Sequence, residues 1–442
     1  MKLSVFNKSV AVLLSGTAAS QAIGILILPV LTRLYSPEEM GVLAIFSAII
    51  TVLLTVVCLR LETAIPIQEN DEDARNVLAL CIQVVAITSS VCLVISSCVY
   101  VLYGSLLGDF YDFILYVPLG LAVGGIYISV NGYAIRNKKF HLISKSRVQQ
   151  AISSSLVQVL GGILNPTAHF LVIGYVFNLG AGLFYLKNKL LNDFRFFRMP
   201  DLNVSIKTLK ANIEFPKYSV IESLANTAGI QVPLLLIAYS MNVAEAAFLF
   251  LAMKIIQAPM VLLGSSIAQV FYSQSSEKYK EGVLPDFTNE VLTTTFKIGV
   301  GPIIFIGILA PTIAQNILGD EWSKVGNYIL LMTPWFVMQF LASPISPIMY
   351  VINQQRSFMN LTLLGFVLKL ASVGAAIYSD FYVIEILVAS NFIFYTICIV
   401  FFCKKAKLQT HVVIYGFLKK LYIPIIWIVF SLLAVQCLNI LR

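Results

Sequence analysis

Charge is scarce in this chain: 12% of its 442 residues are Asp, Glu, Lys or Arg, while 58% are hydrophobic. Soluble domains carry about 25% charged residues, so an ordinary water-soluble fold is excluded. Cysteine pairs at metal or redox spacing are also missing. Cys58, Cys81, Cys92, Cys98, Cys398, Cys403 and Cys437 lie inside or at the ends of apolar runs with no CxxC pair, and read as small hydrophobic thiols. His141, His169 and His411 are isolated, so no metal site is expected. A phosphate-binding glycine loop, a paired-carboxylate motif and a nucleophile–base signature are all lacking, so no catalytic residue, no bound cofactor and no direct ATP hydrolysis is expected.

What the chain has instead is long apolar runs. A spanning helix needs about 20 mostly apolar residues, and only helices or closed barrels satisfy their backbone groups in hydrocarbon. The runs are continuous rather than alternating, which selects an all-α, polytopic membrane protein. Thirteen spans are predicted, at 10–32, 40–59, 77–102, 113–134, 148–164, 168–186, 218–239, 246–272, 291–318, 326–352, 358–378, 381–403 and 421–438. The first resembles a signal peptide in its opening residues, but its apolar run continues through Leu31, which predicts a retained span.

Basic residues are distributed unequally across these spans. Twenty-three of the 30 lysines and arginines fall at the N-terminus or in every second connection after it. Such asymmetry places that side of a multi-pass membrane protein, with the N-terminus, in the cytoplasm. The net charge of +8 then faces an anionic leaflet, so membrane lipids are the partner it implies and no nucleic acid is needed.

The polar connection 187–214 divides the chain into an N-terminal six-helix lobe at 1–186 and a C-terminal six-helix lobe at 215–403. A basic connection, 404–420, leads to an additional helix within 421–442. Both lobes begin on the same side, so they would be parallel repeats. A weak echo supports this: Leu34-Tyr35-Ser36 and Ala238-Tyr239-Ser240 close corresponding spans, and Asn137-Lys138-Lys139-Phe140 is matched loosely by Asn353-Gln354-Gln355-Arg356. Repeat transporters place substrate between such halves. Ser36-Pro37-Glu38-Glu39 is a helix start with Ser36 as cap. Gly16, Ser20 and Gly24, and likewise Gly120 and Gly124, have the spacing of close helix packing.

Lys254 lies well inside the apolar stretch 248–272. A lysine near the middle of a membrane helix costs about 2.5–3.5 kcal/mol on insertion scales, so it should face a polar cavity or a partner. At uninterrupted helical spacing its face continues through Ala258, Val261, Ser265, Ala268 and Tyr272. Lys369 is the second deep cation and shares a face with Thr362, Gly365, Ser372 and Ala376. Two such lysines suit a pyrophosphate as point charges; the alternative is structural pairing, for instance of Lys254 with Glu222. Glu222, about one turn inside the seventh span, is a candidate for proton or sodium coupling or a paired acid near the interface. Gln83, Gln158 and Gln257 are polar residues at spanning depth, suited to sugar hydroxyls or to bonds between helices.

Three stretches carry a resemblance: Leu31-Thr32-Arg33-Leu34-Tyr35-Ser36-Pro37-Glu38-Glu39-Met40-Gly41, Leu59-Arg60-Leu61-Glu62-Thr63-Ala64-Ile65-Pro66, and Ile135-Arg136-Asn137-Lys138-Lys139-Phe140. They resemble the bacterial polysaccharide flippases, the Wzx-type O-antigen or capsule repeat-unit translocases of the multidrug/oligosaccharidyl-lipid/polysaccharide exporter superfamily. The resemblance implies two six-helix lobes around a central cavity, alternating access, and an undecaprenyl-pyrophosphate-linked oligosaccharide as substrate, used in O-antigen, lipopolysaccharide or capsule synthesis. A downstream polysaccharide polymerase is an implied partner. By position, Lys254 and Lys369 match the family's cavity-lining cations, and Arg60 a basic residue near the cytoplasmic mouth. A cation-coupled multidrug antiporter and a peptidoglycan-precursor flippase are alternatives within the superfamily, but the antiporter would be expected to show acids deep in the first lobe, and none is there. A membrane glycosyltransferase or ligase is the alternative outside it. That chemistry usually needs a sizeable outer loop, whereas 104–112, 165–167, 240–245 and 319–325 are short.

Overall fold

Helices account for all the regular secondary structure among the described residues of the computed structural model, which are 15–103, 108–190, 201–379 and 382–440. The start of the first predicted span, the middle of the 187–214 connection and Phe381 lie outside them. Eleven helices are long and apolar enough to cross a membrane. The other two predicted spans, the fifth and eighth, also fall on helices, but these are more polar or interrupted. The protein is an all-helical, multi-pass membrane protein.

The chain forms two compact units, residues 1–238 and 239–442. The first contains α1 (Ser15–Leu34), α2 (Pro37–Val56), α3 (Asp71–Tyr103), α4 (Tyr116–Arg136), α5 (Phe140–Leu164), α6 (Ala168–Gly180), α7 (Gly182–Leu190) and α8 (Leu202–Ala211), and nearly all of α9 (Val220–Ser240). The second contains α10 (Val243–Ile256), α11 (Ser265–Lys280), α12 (Leu284–Leu318), α13 (Ser323–Ala342), α14 (Gln355–Tyr378), α15 (Val383–Lys405), α16 (Thr410–Leu418) and α17 (Tyr422–Ile440). Grouping by contact therefore leaves the seventh span with the first unit, whereas sequence polarity alone drew the lobe boundary before it.

In the first unit, α4 packs on α2, α3 and α6. Gly120 and Gly124 face Ile50 and Leu54 of α2, as their spacing predicts; Gly24 faces open space, so that part of the α1 pattern packs nothing. Ser36 caps α2 by accepting the Glu39 amide at 3.3 Å. The Glu39 carboxylate does not turn back on the cap but accepts the Ala168 amide at the start of α6. Tyr35 is buried and donates to the Gln158 carbonyl at 2.6 Å, while its sequence counterpart Tyr239 is 91% exposed. That echo does not extend to packing.

The other echo is real in the backbone and is offset by one residue. Lys138 and Asn353 both adopt positive φ, 55° and 54°, two residues past the helices Tyr116–Arg136 and Ile348–Val351. The next amide in each case, Lys139 or Gln354, donates to the carbonyl five residues back, at 3.0 and 2.8 Å. This is the left-handed helix stop that frees the chain to reverse. The matching position of Asn353 is thus Lys138, not Asn137.

In the second unit, α13 packs on α10, α12 and α15, and α15 carries α14 on its other side. Gly326 sets the α12–α13 approach: an added Cβ would stand 2.5 Å from the Ala310 carbonyl oxygen and 2.7 Å from Pro311 Cα. Neither is the flexible end of a side chain. Gly326→Val is expected to lower stability by about 2 kcal/mol, seen as earlier melting of the detergent-solubilised protein; unchanged melting would show that the two helices separate without cost. The last helix is attached by one face, with Trp427 lying across Gly301 and packing edge-on to Phe305, 5.8 Å between ring centroids.

Candidate functional site

Lys254 ends up where a helix breaks. Helix α10 stops at Ile256, and the chain passes through a π-helical turn at Met260–Gly264 before α11 begins. Pro259 accounts for the break, because it has no amide to offer the Ile255 carbonyl and its ring crowds that turn. The lysine stands in the last turn of α10, the end of a helix dipole that favours a cation. Most of α10 from Glu245 onward is buried, but Phe250, Lys254, Ile255 and Gln257 are half-buried. The ammonium lies 5.8 Å from the Phe250 ring centroid, and no ion pair among the described residues involves it.

The break also corrects the predicted stripe. Extra residues in the π turn rotate everything downstream, so a face extrapolated from Lys254 at uninterrupted α-helical spacing does not persist. Beyond the turn, among the described side chains, Phe271 and Ser275 are buried, with Phe271 stacked on Phe287 at 5.5 Å, while Tyr272 is exposed; Ser265 of the predicted stripe lies outside them.

Lys369 is 3% exposed, on the buried face of α14 with Leu361, Thr362, Gly365, Val373 and Ala376. Its ammonium lies over two rings of α15, 4.3 Å from the Phe394 centroid and 5.1 Å from that of Tyr395. These are cation–π contacts, which strengthen when desolvated. No carboxylate pairs with Lys369 among the described residues. The structure thus places Lys254 on α10 and Lys369 in the α14–α15 seam, and does not bring them into direct contact.

Arg60 occupies a different kind of position. Helix α2 ends at Val56, and the chain turns through Leu59 and Arg60, both at positive φ (52° and 59°), into a short 3-10 turn at Leu61–Thr63. Two consecutive left-handed residues without glycine are held only if their surroundings fix them. Here Leu61 and Ile65 are fully buried against Ala74, Val77, Leu78 and Cys81 of α3, and the Thr63 hydroxyl donates to the Arg60 carbonyl at 2.6 Å. The turn aims the guanidinium at Glu62, with Nη1 to Oε1 at 3.3 Å. Burial raises the Glu62 carboxyl above its ordinary 4.5, and Arg60 opposes this. Arg60 Nε and Glu62 Oε2 are both buried without hydrogen-bond partners. Glu222 is a second acid within electrostatic reach of Arg60. The charge neighbour of Glu222 is therefore Arg60, rather than Lys254 as the sequence allowed.

Two features escaped sequence reading. One is Glu62 as a buried acid; the spacing Arg60-x-Glu62 was visible, but not the turn that folds one onto the other. The second is Glu245, which is buried, accepts Lys324 Nζ at 2.6 Å and the Tyr328 hydroxyl, and ties the start of α10 to α13. Asn242 caps that helix by accepting the Glu245 amide at 2.7 Å, a signal present in Asn242-x-x-Glu245. Of the neutral polar residues, Gln158 donates to the Leu171 carbonyl and Gln83 accepts from Ser205, so both join helices.

Solved structures with this fold are transporters. An inward-facing multidrug resistance MATE family transporter of the MOP superfamily is 15% identical, with a TM-score of 0.66 over 89% of this chain and 94% of that one. The lipid II flippase MurJ, in an inward closed conformation, is 12% identical, with a TM-score of 0.70 over 96% of each chain. A MOP superfamily transporter from Pyrococcus furiosus is 13% identical, with a TM-score of 0.54 over 90% of this chain and 96% of that one. Comparison with curated proteins gave no match. The fold is the one shared by these MOP-superfamily structures. Residues 30–326 match the polysaccharide biosynthesis protein family, and the chain belongs to it.

Proposed function

We propose that this transporter flips undecaprenyl-pyrophosphate-linked oligosaccharide repeat units from the cytoplasmic to the periplasmic leaflet by alternating access, for O-antigen or capsular polysaccharide. The N-terminus and the basic connections lie in the cytoplasm in this reading, and the two blocks of spans act as parallel lobes. The observation that carries it is Lys254: a cation on the partly open side of a mostly buried helix, beside a helix break, with no carboxylate paired to it among the described residues. A diphosphate supplies the missing charge. Membership of a polysaccharide biosynthesis family agrees with such a cargo. The fold shared with a lipid II flippase favours peptidoglycan precursor as a second reading.

The two readings separate by complementation. Restored surface glycan in a strain without its own repeat-unit flippase supports the first. Rescue only of a strain depleted of lipid II flippase supports the second. Glu222 is assigned to proton or sodium coupling, because taking up a proton or a sodium ion neutralises its carboxylate and releases its attraction to Arg60, which keeps its own charge; transport that ignores both gradients would remove that role.

Lys369→Met separates binding from folding. Removing a buried cation with no carboxylate paired to it among the described residues is expected to leave melting unchanged or raise it. Export should nevertheless fall by tenfold or more, because the second point charge for the diphosphate is gone. Normal export from the stable variant would confine Lys369 to its packing role over Phe394 and Tyr395.

A further inference from the structure

We infer that Lys297, Lys419 and Lys420 form a binding site for the phosphate headgroup of an anionic phospholipid, on the second unit where α12, α16 and α17 meet. The inference rests on the membrane-spanning fold and not on the transport reading. Three observations support it.

The first is convergence. Lys420 Nζ bonds Thr293 Oγ1 of α12 at 3.3 Å, and Lys297 is one turn further along the same helix. Phe417 of α16 stacks on Phe296 at 4.8 Å between centroids, which holds α16 against α12 beside Lys297. Lys419 completes the group, its Nζ 4.5 Å from the Tyr415 ring centroid. Burial lowers the Lys420 pKa below its ordinary 10.5, and the charges of Lys297 and Lys419 lower it further, so the three ammonium groups feel one another.

The second is missing compensation. No ion pair among the described residues involves any of the three. Glu290, the acid nearest to Lys297 along α12, is two turns away and forms no pair with it. Lys419 caps the C-terminus of α16, while both lysines also precede α17, whose N-terminal dipole repels cations. A bound anion relieves the repulsion among the three like charges gathered there.

The third is depth. From Leu318, at its far end, back to Lys297, α12 rises about 32 Å, close to the hydrocarbon thickness of about 30 Å. The 19 residues of α17 rise about 28 Å from the position next to Lys420. Both lengths put the lysines at headgroup level on the basic side of the membrane. Lys297 and Lys419 are exposed there, and Val412, Tyr415 and Leu418 form an exposed strip along α16, which suits a helix lying in the interface. A phosphodiester at that depth, with the Thr293 hydroxyl beside it, meets all three charges.

The test is native mass spectrometry of the full chain in mild detergent, with added phosphatidylglycerol or phosphatidylcholine. Wild-type protein should retain phosphatidylglycerol preferentially. Retention should fall about fivefold for each lysine changed to Gln, and a triple Lys→Arg variant should restore it. K138Q/K139Q, with the same kind of charge loss in another connection, should retain lipid as wild type does. If the triple Gln variant fails to fold, the fivefold loss in K297Q alone decides. The proposal is overturned if the Gln variants retain phosphatidylglycerol normally, or if K138Q/K139Q loses as much. It is also overturned if these lysines hold undecaprenyl pyrophosphate or inorganic phosphate but not phosphatidylglycerol, which would identify a substrate or free-anion site.

Discussion

Lys254→Ala is expected to reduce surface glycan by between about tenfold and 150-fold in a strain that depends on this transporter, without loss of protein from the membrane. The size follows from the bond removed. A charge-assisted hydrogen bond is worth about 1.5–3 kcal/mol, and 1.4 kcal/mol is a factor of ten. Folding should be spared, because the ammonium makes no ion pair among the described residues and its described neighbour is the Phe250 ring. Losing an insertion-costly charge from the end of α10 also favours membrane integration. Lys254→Arg keeps the charge on a longer, planar group and should recover part of the export. Full glycan from the alanine variant at normal abundance would show that the anion is held elsewhere.

Arg60→Ala carries the second large expectation, and it concerns stability. The guanidinium is 31% exposed and the Glu62 side chain 11%, so removing Arg60 strands an acid that water reaches poorly. Breaking such a pair costs about 3 kcal/mol. Arg60→Ala combined with Glu62→Gln should regain much of that loss, because a neutral amide needs no counter-ion. The sign with pH is fixed by the direction of the Glu62 shift. A carboxyl whose value in the folded protein lies above the ordinary 4.5 binds its proton more tightly when folded. Stability therefore rises as pH falls through that folded value toward 4.5. Arg60→Ala should steepen this rise, so its deficit narrows in acid. Melting curves of the detergent-solubilised variants at several pH values test both statements; a deficit unchanged by pH and by Glu62→Gln would mean that Arg60 acts only through the turn it occupies.

The broad plan was legible in the chain because lipid imposes it. Continuous apolar runs have to be helices, and among the described residues each of the thirteen predicted spans falls on helix. Ser36, Pro37 and Glu39 announced a helix start for local reasons that no tertiary contact overrides. The failures share a cause as well. Helical-wheel reasoning assumes 3.6 residues per turn, and the π turn after Pro259 breaks that assumption just past Lys254. Burial of Lys369 against Phe394 and Tyr395 depends on which helix adjoins α14, and a single sequence does not contain that neighbour. The Arg60–Glu62 pair depends on two left-handed residues in a row, a conformation no propensity favours for leucine and arginine. Glu62 was thus visible as a letter but not as a buried acid.

The 35-residue length of α12 has a mechanical consequence. With Lys297 at headgroup level, as inferred above, the part from Lys297 to Leu318 matches the hydrocarbon and Leu284 to Phe296 overhang it. In that placement the rod acts as a lever with a short pivot. In a thinner bilayer the spanning part must tilt to keep its ends at the interfaces. The overhang then swings by an amount set by the tilt, carrying with it the attachment to α11. In that placement, membrane thickness becomes a variable that the protein registers through the angle of one helix.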